Sequence, residues 1–487
     1  MIALKANISR TIFLLSICFL ATNSYSQEQI TVDFSVIKKS QVNAGIASAN
    51  LCWLLDSDKN NPNPKKAFSE AIEEMGIGSL RFPYGHLADN YLWHTPPFNK
   101  VKKGLRPKVA TMSQAPGKWD WAVKGNGSFK NAMDFDEYMT LCQKLDIKPL
   151  VVVNVFSHKY KNGPSLDVLI ETAVEWVKYA NKMNYYVEYW QIGNEVDHHE
   201  DLLSPDEYIN CYQKFASAMK EVDPTIKVGP GILQSVKYFK DIVNTYPDLI
   251  DFTSCHQYMW KYLKTCNNYE LWKNHQDNYI PNVVKMQKAV SHSPKPTIEI
   301  VITETGVSPA GKGMGNINNV NKALWYFEVL MNEISQPNVA YSYFWGTHSP
   351  WDGNRDNDEN DVAVLLRTDD NSRKPIAEIV KLVNDQILDN IVQTNQISGS
   401  VRTFASVNKD KYKVFLMNKN NVAQKVEVSL NQLPEAFKLF SRNSLKGNSP
   451  DDRKLTFSNS ENIKINGDKI ELTLEPLSIT ILSSITK

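Results

Sequence analysis

The feature that most constrains this chain is a regular alternation of two hydrophobic periods between about residues 42 and 392. Eight short segments have strand character: "VNAGIASANLCW", "SLRFPYG", "KPLVVVNV", "EYWQIGNE", "IKVGPGI", "DFTSCHQY", "EIVITETG" and "VAYSYFWG". Several are near-continuous apolar runs, as parallel strands buried on both faces should be. Between them lie segments with apolar residues three and four apart, such as "SLDVLIETAVEWVKYANKM" and "NVNKALWYFEVLMNEIS", which is the period of an amphipathic helix. Two helix starts carry their own signals. "NPKKAFSEAIEEMG" offers Asn63 as N-cap with Pro64 at the first helical position, and "SPDEYINCYQKF" opens with a capping box from Ser204 to Glu207. Eight strands each followed by a helix predict an α/β fold, the (β/α)8 TIM barrel.

The pattern changes near residue 395. "VRTFASV", "KYKVFLMN", "VAQKVEVSL", "AFKLFSR", "NIKIN", "KIELTLE" and "LSITILSS" are short alternating segments separated by Asn, Gly, Asp and Pro. They predict a C-terminal antiparallel β-sandwich. "ITVDFSVI" alternates in the same way and is expected to add a strand to that unit. The expected division is a signal peptide over 1–26, an N-terminal sandwich strand over 27–40, the barrel over 41–392 and the sandwich over 393–487.

The signal peptide rests on Lys5 and Arg10, the apolar run "TIFLLSICFLA" and the small-residue stretch before Gln27. Export to the periplasm or beyond is therefore expected, and no other stretch is apolar enough to span a membrane. The full chain has net charge +1, and loss of the two basic residues of the leader makes it −1. That balance is no nucleic-acid footprint. Of the cysteines beyond the leader, Cys142 and Cys211 fall in helical patterns and read as buried hydrophobes, while Cys255 and Cys266 are the one pair close enough in sequence to leave a bridge open.

In a barrel of this type, chemistry sits at the C-terminal ends of the strands. The fourth segment ends in Asn194 and Glu195, and the seventh carries Glu304. Arg81 lies on the second, His256 and Tyr258 end the sixth, and Trp345 ends the eighth. Two carboxylates across a mouth are what glycosidic cleavage requires: one protonates the leaving oxygen while the other attacks the anomeric carbon. Arg81 and Tyr258 would keep Glu304 ionised. Glu195 has no partner visible in the sequence, which suits the acid/base role. Asn194 is expected on the sugar 2-hydroxyl and Trp345 beneath the ring.

The motifs "GNE" (193–195), "TET" (303–305), "RFPYG" (81–85) and "HQY" (256–258) resemble glycoside hydrolase clan A. The resemblance implies a retaining enzyme with Glu195 as acid/base and Glu304 as nucleophile, roughly 5 Å apart. Within the clan, "LRFPYGHLADNYLW", "AVEWVKYAN" and "YWQIGNEVD" are most similar to the family 51 α-L-arabinofuranosidases. Tyr84 and His86 stand where that family has Gly and Asn, and the first strand lacks its sugar-holding Glu. His86 is thereby a candidate sugar contact. Because these positions shape the subsite for the non-reducing sugar, cleavage of a β-linked xylan, a glucan or an agar- or carrageenan-type galactan is the alternative. An inactive glycan-binding barrel is the rival from another class, and loss of either glutamate would have been its signature.

Weaker signals surround this set. "NKVKKGLRPK" (99–108) is followed by Trp119 and Trp121; it reads as a solvated charged loop or, more sharply, as a subsite for an anionic glycan with two stacking platforms. No cofactor motif is present. Asp197, His198 and His199 suggest a metal only weakly, since adjacent histidines rarely share one ion, so no metal is expected. The acidic segment 352–361 lacks EF-hand spacing.

Overall fold

The computed structural model describes residues 28–53, 56, 65–94, 96, 98–100, 108–109, 133–160, 163–307, 317–348, 362–395, 400–458 and 460–485. The leader, Lys102, Lys103, Arg106, Trp119, Trp121 and the acidic segment 352–361 lie outside them. No described helix is long and apolar enough to cross a membrane.

All eight expected strands form one parallel sheet: Ala47–Asn50, Ser79–Phe82, Lys148–Val153, Tyr189–Ile192, Lys227–Pro230, Phe252–Tyr258, Glu299–Gly306 and Val339–Phe344. Consecutive strands pair except the fifth with the sixth, and the eighth pairs with the first. The seam between the fifth and sixth strands has no continuous ladder. It is stapled instead by Ser254, whose hydroxyl accepts from Ile232 N (2.5 Å) and donates to Ile232 O (2.9 Å). Backbone bonds from Asp251 to Val228 (2.9 Å) and from His256 to Leu233 (2.7 Å) flank the staple. Below the mouth, Tyr189, Phe252, Val301, Tyr341 and Tyr343 fill the interior, so the barrel is a packed core with one open end.

The helices start where local chemistry allows. Pro205–Val222 has the capping box, with Glu207 accepting from Ser204 N at 2.9 Å, and Phe135–Leu145 has a second one between Asp134 and Glu137. The first barrel helix departs from expectation. It begins at Phe68 with Ala67 as N-cap and no side-chain cap, because Phe68, Ala71 and Ile72 are the residues that bury against the sheet, and packing outweighs a cap.

Ten further strands form a separate sheet, antiparallel except where Glu28–Lys39 runs parallel to Gln424–Asn431. The same N-terminal strand pairs antiparallel with Asn390–Thr394. One face alternates cleanly into its own core of Ile30, Val32, Val414, Val428, Ile470 and others. Phe404, Phe415 and Ile479 face the barrel core instead. That contact explains why helix Val320–Ile334 is buried almost all round: its Phe327 meets Phe404 edge-on at 5.8 Å. Between the two units, Glu328 is completely buried and binds Lys419 (3.0 Å) and Arg402. All five described cysteines are buried, and Cys255 and Cys266 are not bridged to each other.

Candidate active site

The fourth strand leaves the sheet abruptly. Gly193 has φ +75°, and a side chain there would strike Val155 and Val196 within 3 Å. Glu195 then takes a left-handed conformation (φ 48°), which costs a non-glycine residue about 1–3 kcal/mol. Backbone bonds from Gly193 to Val153 (2.8 Å) and from Val196 to Gly231 (3.0 Å) hold the turn. The result aims Asn194 and Glu195 into the mouth. In the seventh strand Thr303 is an extra residue against the sixth, since Ile302 pairs with Cys255 and Glu304 with His256. A bulge of this kind re-aims the next side chain, here Glu304.

Glu304 is 1% exposed. Its Oε1 accepts from Arg81 Nη1 at 3.0 Å and its Oε2 from the Tyr258 hydroxyl at 2.7 Å. Arg81 is fully buried and fans out to Asn50 Oδ1 (2.7 Å), Asn194 Oδ1 (2.6 Å) and Gln191 Oε1 (3.2 Å). Because Arg81 takes the Asn194 oxygen, Asn194 Nδ2 is left buried without a partner. Gly85 touches the carboxyl from above: a Cβ there would lie 2.1 Å from Glu304 Oε1. Trp345 packs on the ring of Tyr84 at 4.8 Å and edge-on to Tyr258 at 6.0 Å.

Glu195 does have partners, contrary to the sequence reading. His256 Nδ1 lies 2.9 Å from Glu195 Oε1 and 3.5 Å from Glu304 Oε2, so one imidazole bridges the two acids. His198 Nδ1 lies 3.6 Å from Glu195 Oε2. Donor atoms of Glu195, His256 and Glu304 all fall within 4.8 Å of one another. Burial is the largest influence on Glu195 and raises its carboxyl, but the hydrogen bonds and charges of His198 and His256 outweigh it and hold the group well below the usual range. Burial also dominates at Glu304. There it prevails, with Glu195 adding to the rise while His256, Arg81 and Tyr258 pull the other way. The open site thus orders the two acids opposite to the order their expected roles need.

The barrel brings together Arg81, Asn194, Glu195, His256, Tyr258, Glu304 and Trp345. His86 stands at the edge, its exposed ring 5.3 Å from His199. Trp119 and Trp121 fall outside the described residues. Sequence reasoning missed Asn50 and Gln191, and it met Gly85 only as the end of a motif and His198 only as a weak metal candidate. Asn50 ends the first strand and was open to the same strand-end argument; that Gly85 touches Glu304 and His198 turns back on Glu195 is shown only by the folded loops. A further carboxyl, Asp89, is buried with neither oxygen hydrogen-bonded, its Oδ2 3.9 Å from His86 Nδ1, and burial raises it well above its ordinary value. Two triads could offer ligands to a metal: Glu195 with His198 and His199, and Glu195 with His256 and Glu304. The Arg81 guanidinium beside the second opposes a cation there.

Residues 71–279 match the family model described as Alpha-L-arabinofuranosidase 1 domain. A probable alpha-L-arabinofuranosidase C of Aspergillus fumigatus is 23% identical over 279 residues, covering 50% of this chain and 47% of that protein. The chain thus spans about half the length of the curated relatives it matches. The alpha-L-arabinofuranosidase of Thermotoga maritima, solved with arabinose, superposes with a TM-score of 0.70 at 17% identity, over 94% of this chain and 100% of that one. CelM2, a bifunctional glucanase-xylanase from a metagenome library, superposes with a TM-score of 0.63 at 13% identity, over 95% and 99%. These structures share the barrel and the C-terminal sandwich, and the chain resembles family 51 of glycoside hydrolase clan A.

Proposed function

We propose that this chain, similar as it is to family 51, is an exported retaining glycoside hydrolase, most like an α-L-arabinofuranosidase. The observation that carries the reading is the approach of Glu195 and Glu304 oxygens to within 4.8 Å at the barrel mouth. An approach that close falls short of the roughly 6.5–9.5 Å that an inverting enzyme leaves for its water, and it suits the direct attack of a retaining one. Glu304 attacks the anomeric carbon, and Arg81 and Tyr258 steady the charge it carries before attack and regains when the intermediate is hydrolysed. Glu195 gives its proton to the leaving oxygen, then takes one from water. The unpartnered Asn194 Nδ2 is the donor for the 2-hydroxyl, whose hydrogen bond strengthens as oxocarbenium character grows.

Glu195 must hold a proton when sugar is bound, although His198 and His256 favour its ionised form in the open site. The His198 side chain is 60% exposed. Sugar entering above Glu195 displaces that ring, which removes one of the two groups holding the carboxyl down and leaves burial, already the largest influence on the group, opposed by His256 alone. Arg81 retains Glu304 as its only carboxylate among the described residues, and a buried guanidinium without an anion is costly.

A β-glycanase is the second reading. It is supported by Tyr84, whose buried ring lies against Trp345 where family 51 has only a glycine, reshaping the space for the first sugar. The test is hydrolysis of an aryl α-L-arabinofuranoside and of neutral and anionic polysaccharides by wild type and Glu304→Ala, with product anomers followed by proton NMR. Retained configuration that vanishes in the variant supports the mechanism, and the productive substrate selects between the readings. Inverted product would overturn the roles.

A further inference from the structure

Trp260 is the one exposed tryptophan among the described residues, at 48%. It begins a helical turn, Trp260–Tyr262, directly after the sixth strand, on the rim of the mouth. Its ring stacks on that of Tyr258 at 5.3 Å and 22°, and the Tyr258 hydroxyl binds Glu304. Trp345, Tyr258 and Trp260 therefore form a continuous aromatic wall that climbs from the floor of the site, past the nucleophile, to solvent.

This indole is held in place. Met259 before it is buried, Tyr262 N bonds Met259 O at 2.8 Å, and the Tyr262 ring meets buried Tyr279 edge-on at 5.0 Å. A large apolar ring kept rigid and half in water offers a preformed face at little ordering cost. The C–H faces of a sugar ring suit such a face. The two acids lie deeper, among Arg81, Asn194, Tyr84, Gly85 and Trp345, so the sugar being cleaved must reach down to them. Trp260 lies outward of it, where the aromatic wall reaches solvent.

We propose that Trp260 is the stacking platform for the first sugar ring of the leaving group, a specificity-determining contact that rests on the glycosidase reading above. The experiment compares an arabino- or xylo-oligosaccharide with the aryl glycoside of the same terminal sugar, which has no sugar to place on the platform. Trp260→Ala is expected to lower the ratio of kcat/KM for oligosaccharide over aryl glycoside by about 10-fold, mainly through KM, as the loss of one ring contact implies. Trp260→Phe should keep most of that ratio. A merely structural role would lower both substrates together and move the acid limb set by Glu304, and that result overturns the proposal. Calorimetric titration of the oligosaccharides into Glu304→Ala, with and without Trp260→Ala, separates the two readings. If wild type cleaves nothing yet Trp260→Ala weakens oligosaccharide binding, the platform stands and hydrolysis falls. Equal binding, or no binding to any oligosaccharide, overturns the platform.

Discussion

Replacing Tyr258 by Phe removes one hydroxyl and keeps the ring that Trp345 and Trp260 pack against. The lost bond is 2.7 Å long and reaches a carboxyl only 1% exposed, so solvent screening does not dilute it. A hydrogen bond to a charged group is worth about 1.5–3 kcal/mol. Tyr258 favours the ionised form of Glu304, so removing it moves Glu304 further up and the acid limb of the kcat/KM profile toward higher pH. On the acid side, where only the ionised fraction reacts, that energy converts into roughly a 10- to 150-fold drop. On the plateau the loss is much smaller. The assay is kcat/KM from pH 3 to 9 on the productive aryl glycoside. An unmoved acid limb would refute the reasoning about the hydroxyl. Movement of the basic limb alone would mean that Glu304 is the acid, and the two roles would have to be exchanged.

Three other outcomes follow from the same geometry. His198 holds the Glu195 carboxyl down, so His198→Ala should raise it and extend the basic limb of kcat/KM to higher pH, with the acid limb fixed; the same profile checks it. Burial pushes Glu333 up to about 8 against the bonds from Thr305 and Ser342. A carboxyl raised in the folded state contributes stability that is full below about pH 4.5 and lost as pH rises through 8. Melting curves from pH 5 to 9 should therefore fall less steeply for Glu333→Gln than for wild type. Glu328→Gln leaves Lys419 buried without its anion and takes Glu328 from Arg402, a loss of about 3–5 kcal/mol that calorimetry should read as a Tm lower by about 3–5 °C.

The eight strands were legible because each carries its own signal, an apolar run between helix-period segments, and such signals are local. The strand-end groups Asn194, Glu195 and Glu304 were legible for a related reason: a polar pair closing an apolar run is an anomaly visible in one dimension. The first helix start was misread because Asn63 and Pro64 are good local signals that packing at Phe68 overrides.

What the sequence by itself determined is the architecture and the placing of Glu195 and Glu304 at strand ends, since both follow from periodicity and from where a barrel strand must end. Only the tertiary structure decided how those acids are tuned. His256 from the sixth strand bridges them, His198 reaches back from the loop after the fourth, and Gly85 lets the second-strand loop touch Glu304. The His256 and Gly85 contacts join residues far apart in the chain and depend on the stagger of neighbouring strands, while His198, three residues on from Glu195, meets it through the left-handed turn at Glu195. Protonation responds to such distances and to burial, and neither exists before the barrel closes.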